Sequence, residues 1–166
     1  MVFFDTCVWI ELCGVRTPQK PNEIKQAQLA STLLADIIKN KDDIVTCKEQ
    51  LIEIISAIEK IKLREYNRTA KNMCRQGCGN VKEYRSMKNE FVSAKKLCKE
   101  VVDDVLKFAN IRDCSYTAEY ILQRIDLADI NDIIYFGYCA ENKINFYTFD
   151  SEIANLGFNN VLHILQ

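Results

Sequence analysis

The sequence predicts a three-layer α/β domain in which a central parallel sheet of four to five strands carries helices on both faces. Short apolar segments alternate with longer segments of helical period along the chain, which is typical of a parallel sheet. The strand segments are apolar at consecutive positions, as expected of strands that are covered on both sides. At 166 residues, 48% hydrophobic and 27% charged, the chain fits one globular domain, residues 1–166.

The first third of the chain contains two strands with helices between and after them. VFF is the first strand; it ends at Asp5 and leads into a helical segment. A proline-bounded loop at 17–21 follows, and the next helical pattern begins at Asn22, a plausible N-cap. IVT at 44–46 is the second strand, and the amphipathic helix after it carries Glu53 in its second turn.

The middle of the chain reads as helical. Apolar residues at steps of three and four predict one long helix from Val81 to Phe108. Gly77 and Gly79 interrupt the pattern just before it, which predicts a helical hairpin. We therefore describe residues 62–126 as a basic helical insertion within the domain.

The last third returns to the alternation of helix and strand. A buried helix is predicted after Asp129, and INFYTF at 144–149 is the next strand, which ends at Asp150. The apolar segment NVLHIL at 160–165 is a candidate for the last strand.

Basic residues are concentrated in the middle of the chain. Residues 60–99 contain 12 of the 22 lysines and arginines but only 3 acids, whereas the net charge of the whole chain is −1. Such a segment suits contact with a polyanion, and it equally suits a solvated helix surface. Both interpretations stay open at this point.

The chain has 8 cysteines, but neither a signal-peptide pattern nor a long apolar run. We therefore expect a cytoplasmic protein without a membrane segment, in which most cysteines are small buried residues rather than disulfide partners. Cys74 and Cys78 are the only close pair, and His163 is the only histidine. A zinc site is therefore not expected.

Four acids occupy positions from which they can converge. Asp5 and Asp150 follow strands, at the carboxyl edge of the sheet where ligands bind in open α/β folds. Glu53 and Asp132 lie on helices that border the same sheet, although Asp132 by itself is better explained as a helix cap. Carboxylates close together repel each other unless cations neutralise them, and oxygen ligands favour Mg²⁺ or Mn²⁺. Such ions support phosphodiester cleavage by an activated water.

At three places the sequence resembles the PIN-domain nucleases, a family that includes the VapC-type toxins of toxin–antitoxin pairs. The matching segments are FFDTCVWIEL, VTCKEQLIEII and INDIIYFGYCAENKINFYTFD. The resemblance implies a three-layer PIN-like fold and a divalent-metal-dependent endoribonuclease that leaves the phosphate on the 5′ side of its product. It also implies the roles of catalytic and metal-binding acids for four residues: Asp5, Glu53, Asp132 and Asp150.

The resemblance further assigns Thr6 and Thr148 to the lining of the site. Glu49 is one helical turn before Glu53, and Asp129 is three residues before Asp132, so each is an alternative ligand. RNA is the implied substrate, and an antitoxin protein or a second copy of the chain is a candidate partner. The competing interpretation is a catalytically inactive PIN-like module that binds RNA or protein.

The basic segment is the predicted route by which RNA reaches the acids. A positive surface would offset the repulsion between phosphates and an acidic site. Four residues are the expected RNA contacts: Arg64, Arg68, Lys71 and Arg75.

Overall fold

The computed structural model describes residues 1–157 and 160–166, which form an α/β domain built on one parallel sheet. The helices are α1 (Thr6–Leu12), α2 (Pro21–Asn40), α3 (Lys48–Asn72), α4 (Val81–Ser86), α5 (Lys88–Phe108), α6 (Ala118–Leu122), α7 (Ile130–Asn142) and a short 3₁₀ helix (Glu152–Leu156). The strands are β1 (Val2–Phe4), β2 (Ile44–Thr46), β3 (Ala109–Ile111), β4 (Asn145–Thr148) and β5 (Leu162–Ile164). The predicted three-layer α/β architecture is confirmed.

The five strands lie in the order β3-β2-β1-β4-β5, and every neighbouring pair is parallel. Successive side chains of a strand point to opposite faces, which is visible in β1. Phe4 packs with α1, α2, α3 and α5 on one face, and Phe3 packs with α7 and the 3₁₀ helix on the other. Both rings are fully buried, which explains why the strand is apolar at consecutive positions.

The edge strand β3 was not predicted, and it lies inside the segment expected to be a helical insertion. It pairs with β2 through Ala109, Asn110 and Ile111. Only Ala109 is buried, because an edge strand has one neighbour and little cover. Three residues with one buried position give no alternating or continuous apolar pattern that a sequence reading could detect.

The predicted helix from Val81 to Phe108 is two helices, because the chain breaks at Met87. The break lets Tyr84 and Phe91 turn toward each other, so that their rings meet edge to face at 5.5 Å. In an unbroken helix these residues would be seven positions, or about 10 Å, apart along the axis. The predicted hairpin is confirmed in outline, since α5 packs back along α3.

Other predicted boundaries of helices and strands differ from the observed ones by one or two residues. The second helix begins at Pro21 with Lys20 as its N-cap, so Asn22 is not the cap. The strand predicted at 144–149 ends at Thr148, and the last strand is shorter than 160–165.

All eight cysteines are free thiols; five are buried, and Cys74 is exposed. None of the helices within the described residues combines the length and hydrophobicity needed to cross a bilayer.

Candidate active site

The point where the strand order reverses lies between β1 and β4. From β1 the chain proceeds outward to β2 and β3 on one side, and β4 and β5 extend the sheet on the other. Ligands of open parallel sheets bind beside the carboxyl ends of the strands at such a point. Asp5 directly follows β1, and Asp150 lies two residues after β4. The two acids therefore flank the reversal point.

Asp5 is buried and surrounded by donors. Its Oδ1 accepts the backbone N–H of Thr6 at 2.5 Å, so that it also serves as the N-cap of α1. Its Oδ2 accepts the Thr148 hydroxyl at 2.6 Å and the Cys7 thiol at 3.0 Å. Burial raises the pKa of Asp5 above its ordinary value, although these donors act in the opposite direction. Asp5 is thus rigidly held and at the same time favours a positive neighbour.

Asp150 is fixed by the backbone around it. Its N–H donates to the Thr148 hydroxyl oxygen at 2.8 Å, and its Oδ1 accepts the N–H of Glu152 at 2.8 Å. Thr148 therefore bridges the two strand-end acids, donating to Asp5 and accepting from Asp150. This explains why a fully buried hydroxyl stands at the end of β4.

The two remaining acids come from helices on opposite faces of the sheet. Glu53 lies in the second turn of α3, where its Oε2 accepts the Thr6 hydroxyl at 3.0 Å. Asp132 lies in the first turn of α7. Burial raises the pKa of Glu53. Burial, followed by the negative charges of Asp5, Glu53 and Asp150, raises the pKa of Asp132 to about 8.

One cleft of about 560 Å³ is lined by all four of these acids: Asp5, Glu53, Asp132 and Asp150. Asp129 also lines the cleft, whereas Glu49 is not among its lining residues. Thr6 lines it too, and Thr148 lies beneath it as a fully buried residue. The structure therefore gathers the acids that the sequence predicted, and it distinguishes Glu53 from Glu49 more clearly than Asp132 from Asp129.

The donor set fits a hard divalent cation. All four groups are carboxylates, and within the described residues none of them forms an ion pair with a lysine, arginine or histidine. Desolvation and repulsion between the acids raise the pKa values of Asp5, Glu53 and Asp132, and such a cation would relieve both effects. In the described part of the chain, no three histidine, cysteine, aspartate or glutamate side chains are grouped so that they could hold an ion as they stand.

Tyr135 is a residue of this site that the sequence did not reveal. It lies one turn after Asp132 on α7 and is completely buried. Its hydroxyl forms no hydrogen bond of ordinary length and angle with a described residue, but it has a loose contact with the carboxylate of Glu53. Burial, followed by the negative charge of Glu53 and this contact, raises the pKa of Tyr135, so the group is an O–H donor directed at Glu53. In the sequence it looks like one more apolar position of a buried helix.

The predicted RNA contacts divide into two groups. Arg64 lines the acidic cleft, and Arg68 lines a neighbouring one. Lys71 and Arg75 line neither. Lys71 is 18 residues from Glu53 on the same helix, which corresponds to about 27 Å.

Two further basic residues line the acidic cleft without having been predicted. Lys60 lies four residues before Arg64 on α3, a spacing that puts both on one face and could have identified it. Arg16 comes from the loop after α1, where it pairs with the buried carboxylate of Glu11. No local pattern marks Arg16, because only the packing of α1 against α3 brings that loop to the cleft.

Comparison with known proteins gives no match to a family model, to a curated protein or to a solved structure.

Proposed function

We propose that this protein is a divalent-metal-dependent endoribonuclease of the PIN-domain type. The observation that carries the proposal is the shared cleft, to which four sequence-distant elements each contribute one carboxylate: Asp5, Glu53, Asp132 and Asp150. Carboxylates that are buried or partly buried without a cationic partner cost free energy. Asp5 is buried and the other three acids are partly exposed, so a cation bound among them would lower this cost.

The acids in this proposal are the ligands of Mg²⁺ or Mn²⁺. When bound, such an ion would activate water and stabilise negative charge on a phosphoryl oxygen. The protein's contribution is to hold the ligands in fixed orientations. Thr148 anchors Asp5 and the backbone of Asp150, and Thr6 links Asp5 to Glu53 through its N–H and its hydroxyl. Outer contacts of this kind typically tune metal sites.

Tyr135 is a second observation that supports the proposal. A fully buried hydroxyl without a well-formed hydrogen bond is uncommon, because its desolvation is not fully repaid. Its position beside Glu53 suits a donor that becomes paired when the site is occupied and the carboxylate is fully ionised. We assign Tyr135 the role of orienting Glu53.

The basic rim supports a polyanionic substrate. Lys60 and Arg64 line the same cleft as the acids, and neither forms an ion pair within the described residues. A phosphate that approaches the carboxylates is therefore met by cations at the edge of the cleft, which offset the repulsion. RNA as the substrate, and the toxin role in a toxin–antitoxin pair, come from the resemblance to the PIN-domain nucleases.

The experiment is incubation of the purified protein with an end-labelled single-stranded RNA in Mg²⁺, in Mn²⁺ and in EDTA. Cleavage that requires the metal and yields 5′-phosphate products supports the proposal. RNA binding without cleavage in either metal would overturn it in favour of a catalytically inactive PIN-like binding module. Coexpression with the product of a neighbouring small reading frame tests the antitoxin.

A further inference from the structure

A second cleft, of about 490 Å³, adjoins the acidic one. It lies between the loop that follows α1 and the middle of α3. The two clefts share three lining residues, namely Arg16, Ile61 and Arg64. They therefore form one continuous groove, with the carboxylates at one end and Arg68 at the other.

The free charge of the second cleft is positive, although two glutamates also line it. Glu65 is paired with Lys62 at 2.8 Å. Glu23 accepts the backbone N–H groups of Gln19 and Lys20 at 2.8 and 3.1 Å. Lys62 therefore neutralises Glu65, whereas Glu23 keeps its negative charge, which is outweighed by the two unpaired arginines that line the cleft.

Two of the three arginines that line this cleft have no such contact, whereas Arg16 is paired with Glu11. Arg64 and Arg68 are exposed, and neither forms an ion pair with a described residue. They lie four residues apart on α3, so that they are neighbours on one helix face, with Cβ atoms about 5–6 Å apart. Two adjacent unpaired guanidinium groups in a groove are well placed to bind phosphate oxygens.

We infer that this second cleft binds the sugar-phosphate backbone of single-stranded RNA, on one side of the phosphate held at the acids; this rests on the proposed function. Positive grooves that track a backbone are typical of single-strand binding, whereas duplex RNA is recognised by surfaces that span its minor grooves. Phe149 lies in the acidic cleft between β4 and Asp150, where it offers an aromatic surface to an unstacked base.

The test measures binding in EDTA, so that cleavage does not enter. A fluorescently labelled 12-nucleotide single-stranded RNA and its duplex are titrated with wild-type protein, with Arg64→Gln/Arg68→Gln and with the matched control Lys71→Gln/Arg75→Gln. The control removes the same charge from exposed residues of the same segment that line neither cleft. Thermal unfolding checks that all three proteins fold.

We expect the wild type to prefer the single strand and the Arg64→Gln/Arg68→Gln protein to bind it at least about tenfold more weakly. Its salt slope should fall by about 1.4, since each lost contact to a single-strand phosphate removes about 0.7. The control should stay near the wild type. Equal effects of the two double variants, or a wild-type preference for duplex, would overturn the inference.

The outcomes also separate this inference from the proposed function. If the wild type cleaves RNA in Mg²⁺ or Mn²⁺ but the two double variants bind alike, the proposed function stands and the cleft assignment fails. If binding depends on Arg64 and Arg68 but no metal supports cleavage, the cleft assignment stands and the nuclease proposal fails.

Discussion

The Thr148 hydroxyl donates a 2.6 Å hydrogen bond to Asp5 Oδ2, which joins the end of β4 to the end of β1. The same oxygen accepts the N–H of Asp150 at 2.8 Å. Thr148→Val keeps the shape but removes the side-chain partner of the Asp150 N–H and one of the donors to Asp5 Oδ2, which keeps only the Cys7 thiol. We therefore expect a loss of about 1–3 kcal/mol in the free energy of unfolding. Metal affinity should fall as well.

Chemical denaturation and Mn²⁺ titration measure the two effects. Thr148→Ser is the matched control, because it retains the hydroxyl and should retain most of the metal affinity. A valine variant that binds Mn²⁺ like the wild type would show that Thr148 does not position the acids.

Replacing a strand-end acid should remove activity without unfolding the protein. Asp5→Asn and Asp150→Asn each remove one ligand charge, and we expect the rate of RNA cleavage to fall more than about 100-fold, since even ligand-orienting residues are worth about 10–100-fold. Both proteins should fold, and in EDTA the stability of Asp150→Asn should hold or rise, because the change relieves repulsion among the acids. In Asp5→Asn this gain is offset, because the amide NH2 cannot accept a hydrogen bond that a carboxylate oxygen of Asp5 accepts. Cleavage by Asp5→Asn at the wild-type rate would refute the assignment.

Alanine substitutions separate the neighbouring acids. We expect Glu53→Ala to abolish cleavage and Glu49→Ala to leave it unchanged, since only Glu53 lines the cleft. Asp132→Ala should abolish cleavage, and Asp129→Ala should have a smaller effect because Asp129 is exposed. Rates measured under saturating Mg²⁺ test this, and the reverse order within either pair would move the ligand to the other acid.

Tyr135→Phe removes only the hydroxyl directed at Glu53. If this group orients Glu53 in the loaded site, Mn²⁺ affinity should fall about tenfold, the lower end of the range for residues that orient ligands. Stability in EDTA should change little, because the hydroxyl has no well-formed hydrogen bond to lose. Tyr138→Phe, on the same helix, is the control. Equal Mn²⁺ affinities of wild type and Tyr135→Phe would exclude the role.

The raised pKa of Asp132 predicts an unusual pH dependence. Because its pKa is about 8 in the folded protein and near 3.9 when unfolded, folding favours its protonated form. Its contribution to stability is complete below pH 4 and is lost as the pH rises toward and through 8. In EDTA, the thermal midpoint of the wild type minus that of Asp132→Asn should therefore decrease as the pH rises from 4 to 8.

Divalent metal should counter that fall, because it binds the ionised carboxylate. Mn²⁺ affinity should increase with pH up to about 8 in the wild type, and more weakly in Asp132→Asn. A wild-type midpoint that rises relative to Asp132→Asn between pH 5 and 8 in EDTA would contradict the prediction.

The sequence by itself determined the α/β fold class and the edge of the sheet at which the acids lie. An apolar run followed directly by an acid indicates a buried strand and the position at which it ends. At Asp5 this pattern can be recognised from neighbouring residues alone. Helical period placed Glu53 and Asp132 on helices beside the sheet, but it left Glu49 and Asp129 as alternatives, and only the resemblance to the PIN-domain nucleases favoured one acid of each pair.

Tertiary structure alone decided which side chains meet in the cleft. Three features depend on contacts between residues distant in sequence: the edge strand β3, the loop that brings Arg16 to α3 and the position of the Tyr135 hydroxyl beside Glu53. The same contacts separate Arg64 and Arg68 from Lys71 and Arg75, which belong to one basic segment by composition. Composition records how many charges a segment carries, whereas packing fixes how far each lies from the acids and which cleft it faces.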